Sequence, residues 1–541
     1  GGSLKPAEAL ALGVVDELAP DETALVAAAR AWLLSRPEPV APWDRKGFHV
    51  PGGAGPLAPH ALRSFMAGAS RLKATRGRYP APHAILSAVY EGTQVPFDTA
   101  MRIEAKYFGT LLAGKVSGNL VRTFLRKAAA RKLSSRASED VAPLAVRRLG
   151  VLGAGMMGAG IANVAAGAGI EVALLDRSEE LALKGLDHAR RQCERSVKRG
   201  EMNAGQAERH LARIRPSTDF SALEGCDLIV EAVFESRAVK AETFRAAEPR
   251  LADGGMLASN TSTLSISRLA DHVADPGRFI GLHFFSPVER MPLVEVIVGK
   301  ETSAQTIADA LAFVARLKKT PIVVHDSPGF YTSRVFCTYI DEAMAMLAEG
   351  ISPALIENAA RLAGFPVPPL AVIDEVSLDL QKLVIEQAKA DGLDRRFLRA
   401  HAEPVVETLT ALGRLGRKSG GGFYDYTEDG DKRLWPGLAD LYPSSADQPS
   451  AEDVGKRLLY IQAVESAHCL SEGVIDDQAT ADLGSVLGIG YPAWTGGALS
   501  VIATVGADDF LADCARFARV YGSRFEIGAA IVNRGMGIAA E

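Results

Sequence analysis

Two residues in the middle of the chain could together form a general base. His283 lies in an otherwise apolar run, residues 279–285, and Glu295 lies in a second apolar run, residues 293–297. A lone histidine in such a run is more often a hydrogen-bonded core residue than a catalytic one. A buried carboxylate, however, needs a partner, and a nearby imidazole would supply one. A carboxylate that orients an imidazole and stabilises the imidazolium makes a proton acceptor.

A glycine-rich turn upstream could bind a dinucleotide. Gly153, Gly155 and Gly158 have the spacing G-x-G-x-x-G between an apolar run and a helix of small residues. In this pattern the glycines allow a tight turn, close approach to a pyrophosphate and close helix–strand packing, and the helix N-terminus attracts phosphate. Asp176 ends the next strand, where a carboxylate binds ribose hydroxyls and repels a 2′-phosphate, so NAD is favoured over NADP. Arg177 beside it is interpreted as a solvated charge.

The strands that follow would complete a doubly wound sheet. Cys226–Val233 and Met256–Ser259 read as buried strands, followed by Glu235 with Lys240 and by Asn260-Thr261-Ser262. Ligands bind beyond the carboxyl ends of such strands, so we expect these polar residues to face a cofactor. Beside a nicotinamide, a His–Glu pair would take a hydroxyl proton while hydride leaves the carbinol carbon.

Length and composition limit the class of protein. The 541 residues correspond to about three to four domains, with 48% hydrophobic residues and a net charge of −5. The chain has no basic block that would indicate nucleic-acid binding and no apolar run near the roughly 20 residues of a membrane helix. Five scattered cysteines without C-x-x-C favour a reducing compartment without disulfides or structural zinc. The first residues, GGSLKPAEAL, suggest a piece of a longer protein.

Outside this region the patterns are mostly helical. Residues 97–112 place their apolar side chains near one face, which predicts a helix, and the short segment Val14–Asp16 reads as a strand. A long charged helical stretch reaches about Arg213. Its Lys198 and Arg199 would either meet an anionic substrate or lie on a solvated helical hairpin, and the sequence leaves both open.

The remainder after Ser333, predicted to be all-helical, contains an internal repeat. Four residues recur at a constant shift of 123: Arg334, Glu342, Glu349 and Gly350 return as Arg457, Glu465, Glu472 and Gly473. Each copy then reaches a Gly-aromatic-Pro turn, at residues 364–366 and 490–492. The second copy lacks the P-G-F turn that precedes the first, so we expect it to pack on the first rather than bind a ligand. Residues 413–426 read as a linker packing aromatic residues, and nothing is assigned beyond Arg524.

Several motifs resemble those of the L-3-hydroxyacyl-CoA dehydrogenase family. They are N-T-S at 260–262, L-H-F-F-x-P at 282–287 and L-V-E at 293–295, with the family's separations of 21 and 12 residues between serine, histidine and glutamate. The start, K-P-x-E-A-L-x-L-G-V-V-D, is similar to the end of an enoyl-CoA hydratase (crotonase) domain. Together they resemble the α-subunit of bacterial multifunctional fatty-acid oxidation enzymes, with most of the hydratase missing. A full-length parent is therefore expected to have hydratase activity and a thiolase β-subunit as partner.

The resemblance also implies roles for individual residues. His283 would be the base, Glu295 its orienting partner, and Ser262 a contact to both substrate and nicotinamide. Asn260 and Ser333 would bind substrate, although the family commonly has asparagine where this chain has Ser333. The implied NAD contacts are the three glycines above with Met157, Asp176, Glu235, Lys240 and Ser262.

The expected fold is an α/β Rossmann-type NAD-binding domain followed by two duplicated all-α C-terminal domains. The expected bounds are 1–60 for a crotonase-like remnant, 61–143 for a helical linker, 144–326 for the Rossmann domain, and 327–427 and 428–541 for the helical domains. The expected activity is oxidation of an L-3-hydroxyacyl-CoA in the cytoplasm, by a chain that could form homo-oligomers. Two rivals stay open: a β-hydroxy-acid dehydrogenase acting on free acids, and a non-catalytic NAD-binding scaffold.

Overall fold

The computed structural model describes residues 3–35, 40–56, 58–75, 77–135, 143–427 and 429–535. The chain forms two compact units, one of residues 1–74 with 80–111 and one of residues 75–79 with 112–541. The first is helical: α1 (Pro6–Ala11), α2 (Glu22–Leu34), α3 (Pro59–Leu72), α4 (Pro80–Gly92) and α5 (Phe97–Leu112). The predicted helix over 97–112 is confirmed.

The strand predicted at Val14–Asp16 is wrong, because these residues form a bend that follows α1 and its turn. A strand needs a neighbour to accept its backbone hydrogen bonds. The described part of the first unit contains no strand that could pair with it.

The second unit opens with α6 (Lys115–Ser135), which packs against the C-terminal helices. Asn119 is 1% exposed and donates from Nδ2 to the carbonyl oxygen of Trp494 at 2.8 Å and to Thr504 Oγ1 at 3.0 Å. Arg126 pairs with the buried Asp482 at 2.5 Å. The segment predicted as a linker therefore contributes a helix to the packed core of the second unit.

An eight-stranded sheet follows, in the order β3-β2-β1-β4-β5-β6-β7-β8. Only the β6–β7 pair is antiparallel. The strands are β1 (Arg148–Leu152), β2 (Glu171–Leu175), β3 (Ile214–Ser217), β4 (Cys226–Glu231), β5 (Leu251–Ser259), β6 (Phe279–Phe284), β7 (Leu293–Val298) and β8 (Thr320–His325). The accompanying helices are α7 (Met156–Gly167), α8 (Glu179–Lys198), α9 (Ala204–Leu211), α10 (Arg237–Ala247), α11 (Ile266–Ala270) and α12 (Ala304–Arg316).

The apolar runs become central strands because both faces of the sheet are covered. All six residues of β6 are buried, as are the first five of β7, which is the pattern of a sheet enclosed between helical layers. The strand order reverses between β1 and β4. That reversal opens the crevice where dinucleotides bind in folds of this class.

The remaining chain is mostly helical. Its helices are α13 (Thr332–Ala348), α14 (Pro353–Ala363), α15 (Pro369–Val376), α16 (Leu378–Ala390), α17 (Glu403–Ala411), α18 (Leu438–Leu441), α19 (Ala451–Ser471), α20 (Gln478–Gly488), α21 (Ser500–Val505), α22 (Ala507–Tyr521) and α23 (Ala529–Gly535). The prediction of an all-helical remainder is corrected by a small antiparallel hairpin of β9 (Tyr424–Tyr426) and β10 (Lys432–Leu434). It forms where the glycine-rich linker places Phe423 and Tyr424 in the core.

The repeated residues form reciprocal ion pairs between the two copies. Arg334 of the first copy pairs with Glu465 and Glu472 of the second. Arg457 of the second copy pairs with Glu342 and Glu349 of the first.

The Gly-aromatic-Pro turns meet in the same reciprocal way. A Cβ added to Gly364 would lie 3.3 Å from Pro492 Cβ, and one added to Gly490 would lie 2.9 Å from Pro366 Cγ. The aromatic rings of Phe365 and Tyr491 are in edge contact at 5.9 Å. The second copy therefore packs face to face on the first, as the repeat predicts.

Candidate active site

His283 and Glu295 lie opposite each other on neighbouring antiparallel strands. They are register partners in the β6–β7 pair, and His283 Nδ1 is 2.9 Å from Glu295 Oε2. His283 is 6% exposed and Glu295 is fully buried. Directly opposed residues on one face of an antiparallel pair are close enough for their side chains to interact, so the twelve-residue spacing brings together the pair that the sequence suggested.

Glu295 is held by the first turn of α13 as well as by the histidine. Its Oε1 accepts hydrogen bonds from the backbone N–H of Tyr331 at 3.0 Å and of Thr332 at 2.9 Å. Its Oε2 accepts one from Thr332 Oγ1 at 2.5 Å. Free N–H groups at a helix start stabilise negative charge, so the P-G-F-Y-T segment supplies the environment of a carboxylate.

Ser262 completes a chain of contacts through the histidine. Its hydroxyl oxygen is 3.1 Å from His283 Nε2. Because the carboxylate of Glu295 only accepts hydrogen bonds, the ring proton is assigned to Nδ1 and the lone pair to Nε2. The imidazole therefore presents its basic nitrogen on the side of Ser262, at the carboxyl end of β5.

Glu235 is fixed beneath Ser262 by several donors. Its Oε1 accepts hydrogen bonds from the Ser262 backbone N–H at 3.1 Å and from Thr261 Oγ1, and Lys240 Nζ lies 3.2 Å from Oε2. Burial raises the pKa of Glu235, but Lys240 and these hydrogen bonds outweigh it and hold the pKa below its ordinary value. Glu235 is thus a charged acceptor at the end of β4.

Lys240 is buried and pairs with two carboxylates. Its side chain has no exposed surface, and its ammonium is 2.7 Å from Glu231 Oε1, a second fully buried carboxylate. Ser259 Oγ donates to the other oxygen of Glu231 at 2.6 Å. The ammonium therefore holds Glu231 and Glu235, and contact of Lys240 with a cofactor stays a prediction.

The two other predicted substrate contacts are near the base but are used differently. Asn260 accepts a hydrogen bond from the Phe284 backbone N–H at its Oδ1, at 2.9 Å, so it fastens the end of β5 to β6. Ser333 lies half-buried in the first turn of α13, directly after Thr332.

The glycine turn has the geometry of a dinucleotide cradle. Gly153 has a φ of +93°, and a Cβ there would lie 2.6 Å from the carbonyl oxygen of Ala232, while a Cβ on Gly158 would overlap the carbonyl oxygen of Gly153. A Cβ on Gly155 would meet no atom within 4 Å. The fold therefore requires two of the glycines, and the third leaves backbone accessible at the start of α7, which has no side-chain cap.

Asp176 is oriented at the end of β2 by two backbone N–H groups. They belong to Ala154 and Arg177, and each is 2.7 Å from a different carboxylate oxygen. Met157 lies partly exposed on the first turn of α7, one residue before Gly158. These residues fit an adenosine ribose and a pyrophosphate, so the cradle suits NAD.

Two charged residues of the helical hairpin α8–α9 lie on its exposed surface. Arg199 is exposed and pairs with Glu201 at 2.9 Å, and Lys198 is exposed at the end of α8. Their contacts agree with a solvated hairpin.

Thr332 and Thr261 are site residues that the sequence reasoning missed. Each holds a carboxylate through its hydroxyl, Thr332 on Glu295 and Thr261 on Glu235. Threonine is common in helix starts and loops, so no signal in the sequence alone distinguishes these two. Among the described residues, no cluster of histidine, cysteine and carboxylate side chains could hold a metal.

Fold and site together define a Rossmann dehydrogenase in which a histidine and a glutamate are paired at the carboxyl edge of the sheet. Two family models match the chain: 3-hydroxyacyl-CoA dehydrogenase, NAD binding domain, over residues 148–327, and 3-hydroxyacyl-CoA dehydrogenase, C-terminal domain, over residues 329–426. The chain belongs to the 3-hydroxyacyl-CoA dehydrogenase family, and is an NAD-dependent oxidoreductase.

Solved structures agree. A 3-hydroxybutyryl-CoA dehydrogenase from Escherichia coli is 28% identical, with 73% of this chain and 99% of that one covered and a TM-score of 0.62. An (S)-3-hydroxybutyryl-CoA dehydrogenase from Ralstonia eutropha is 36% identical over 52% of this chain and all of that one, with a TM-score of 0.50. The dehydrogenase part of multifunctional enzyme 1 from C. elegans is 26% identical over 76% and 98%, with a TM-score of 0.54. In the part of the chain that is described, no helix is long and apolar enough to span a membrane.

Proposed function

We propose that this protein oxidises L-3-hydroxyacyl-CoA thioesters to 3-ketoacyl-CoA in fatty-acid β-oxidation, with NAD⁺ as oxidant. The observation that carries the proposal is the contact chain from Ser262 through His283 to Glu295 at the carboxyl edge of the sheet. A dehydrogenase of this kind needs one group that accepts a hydroxyl proton beside the nicotinamide, and His283 Nε2 is such a group.

The residues divide the work as follows. His283 Nε2 accepts the proton of the substrate's 3-hydroxyl, and Glu295 stabilises the imidazolium that results. Ser262 donates a hydrogen bond to the developing carbonyl oxygen, and the amide of Asn260 and the hydroxyl of Ser333 orient the substrate. When bound, NAD⁺ supplies the hydride acceptor; Asp176 and the glycine turn hold its adenosine and pyrophosphate, with Met157 and Glu235 along the crevice.

The metabolic setting is part of the proposal. The hydratase-like motif at residues 5–16 and the similarity to the dehydrogenase part of a multifunctional enzyme support a parent protein that also hydrates enoyl-CoA. Such a parent would pass its ketoacyl product to a thiolase partner in the cytoplasm. We also propose that the protein associates into homo-oligomers.

The test is oxidation of NADH by 3-ketoacyl compounds. We expect acetoacetyl-CoA to be reduced and free acetoacetate at equal concentration to give little or no turnover, with longer 3-ketoacyl-CoAs defining the chain-length preference. Reduction of acetoacetate would support the free-acid dehydrogenase instead. NADH binding without turnover of any acyl-CoA would support the non-catalytic scaffold.

A further inference from the structure

The carboxylate of Glu295 is shared between the base and one residue of the helical half. Its Oε2 accepts a hydrogen bond from His283 Nδ1 at 2.9 Å and another from Thr332 Oγ1 at 2.5 Å. Among the described residues these are its two side-chain donors. The Thr332 hydroxyl and the imidazole therefore donate hydrogen bonds to the same carboxylate oxygen.

This shared hydrogen bonding changes how strongly Glu295 stabilises the protonated form of His283. A hydrogen bond from a neutral hydroxyl stabilises the carboxylate charge whether the imidazole is neutral or cationic. It thereby reduces the charge that Oε2 presents to the imidazolium. Loss of the hydroxyl would leave that charge for the His283 contact alone and would favour the protonated ring.

We propose that Thr332 is a positioning residue that, through Glu295, sets the pH at which His283 becomes a free base. The proposal rests on the proposed function for its consequence in turnover, but not for its effect on the imidazole. The helical half thus tunes the chemistry of the sheet through one hydroxyl, in addition to the backbone N–H groups of Tyr331 and Thr332.

The other ionisable groups around the pair are engaged elsewhere. Cys469 of α19 faces Glu295, and burial raises the pKa of its thiol well above the ordinary value, so it stays neutral. Arg334, further along α13, pairs with Glu465 and Glu472. On the other side, Glu235 lies beyond Ser262 and is paired with Lys240.

The deciding variant is Thr332→Val, which removes the hydroxyl and keeps the side-chain volume. In the free protein, the His283 Cε1–H signal is identified by its absence in His283→Gln. Its chemical-shift titration should move to higher pH by on the order of half a unit, because the full charge of Oε2 then stabilises the protonated ring. The acid limb of kcat/KM should move by the same amount. Thr332→Ser should restore both.

The control is Thr338→Val on the same helix, where the hydroxyl donates to the Val335 carbonyl oxygen at 2.7 Å, its one partner among the described residues. It should leave the titration in place, which separates the effect from general loosening of α13. If Thr332→Val does not fold, Thr332→Ala is measured in the same way.

An unchanged His283 titration in a folded Thr332 variant overturns the proposal, and so does an equal shift in Thr338→Val. A shifted titration in a protein that reduces no acyl-CoA would leave Thr332 in this role and refute the proposed function instead.

Discussion

The two copies of the helical repeat share their ion pairs but differ where each begins. In the first copy, Tyr331 and Thr332 follow a P-G-F turn and contact Glu295. The positions 123 residues later are Val454 and Gly455, inside the first turns of α19. There a Cβ on Gly455 would lie 3.4 Å from Ala363, so this end of the second copy packs against α14.

The difference shows that packing and chemistry depend on separate residues. In both copies, the arginine at the repeated position pairs across the interface with two glutamates of the other copy. Among the described residues, the hydrogen bonds that the helical half donates to Glu295 come from the first copy. The second copy therefore supports the site by supplying Glu465 and Glu472 to Arg334, two residues after Thr332.

The strongest test of this division is His283→Ala. Loss of a general base typically costs about 10²–10⁴-fold in rate, so kcat for acetoacetyl-CoA should fall by that factor while NADH affinity and urea unfolding change little. His468→Ala, a histidine of the second copy, is the matched control and should keep full turnover. Turnover of His283→Ala near that of the unaltered protein would remove His283 from the mechanism.

The converse test removes an ion pair of the repeat and leaves the site intact. Arg457 and Glu342 are both fully buried, and Arg457 also stacks 3.6 Å over Tyr521. Breaking a buried pair costs about 3–5 kcal/mol, and because Arg524 still bonds Glu342 at 2.6 Å, Arg457→Met should lower the free energy of unfolding by about 3 kcal/mol. Urea denaturation measures this, and kcat of the folded fraction should not change.

Arg334→Met should have a smaller effect on stability and a larger one on activity. Its carboxylate partners are 18% and 31% exposed, and Arg396 still pairs with Glu472 at 2.5 Å. We expect a loss of about 1–2 kcal/mol together with a fall in kcat/KM, since Arg334 anchors the turn that carries Thr332. Equal behaviour of the Arg334 and Arg457 variants in both assays would contradict the division between the copies.

Local patterns in the sequence predicted the elements that depend on neighbours in the chain. The strand–turn–helix around Gly153, Gly155 and Gly158 is present because each glycine is required by atoms within the unit or left accessible at the helix start. The strand predicted at Val14–Asp16 failed because a strand depends on a partner from elsewhere. The β9–β10 hairpin was missed for the related reason that its glycine-rich approach resembles a loop.

The repeat was found in part. Its four residues predicted a duplicated half but not that the pairs cross between the copies, since a constant shift is the same for either pairing. An Arg-Phe pair was also missed: Arg396-Phe397 and Arg524-Phe525 each lie in a short 3-10 helix, and their arginines pair with Glu472 and Glu342. Their shift is 128 rather than 123, so a search at one shift does not detect them.

The site was predicted where residue type restricts function and missed where it does not. A glutamate in an apolar strand needs a partner, and that requirement led to His283. The cofactor contact of Lys240 stays a prediction, but the sequence did not show that the neighbouring Glu231 is buried and pairs with this lysine. A threonine hydroxyl such as that of Thr332 has too many ordinary uses for its bond to be predicted.

The smallest expected effect is on the pH dependence of stability, and it comes from Glu472 of the second copy. Burial raises the pKa of Glu472, but the hydrogen bonds and charges of Arg334 and Arg396 outweigh it and hold the pKa at about 2, below the ordinary 4.5. Between those values the unfolded chain binds more protons than the native one, so this contribution is complete above pH 4.5 and is lost as the pH falls toward 2.

Glu472→Gln should therefore flatten the acid side of the stability curve. Because Glu472 is nearly one-third exposed, the difference from the unaltered protein should be about 1 kcal/mol or less, largest near neutral pH and vanishing toward pH 2. Urea unfolding at a series of pH values measures it. In an Arg334→Met, Arg396→Met background the same substitution should have almost no effect on that slope, because the two cations that lower the pKa are gone. A slope that still depends on Glu472 in that background would mean that the carboxylate is stabilised by something other than the reciprocal pairing of the two copies.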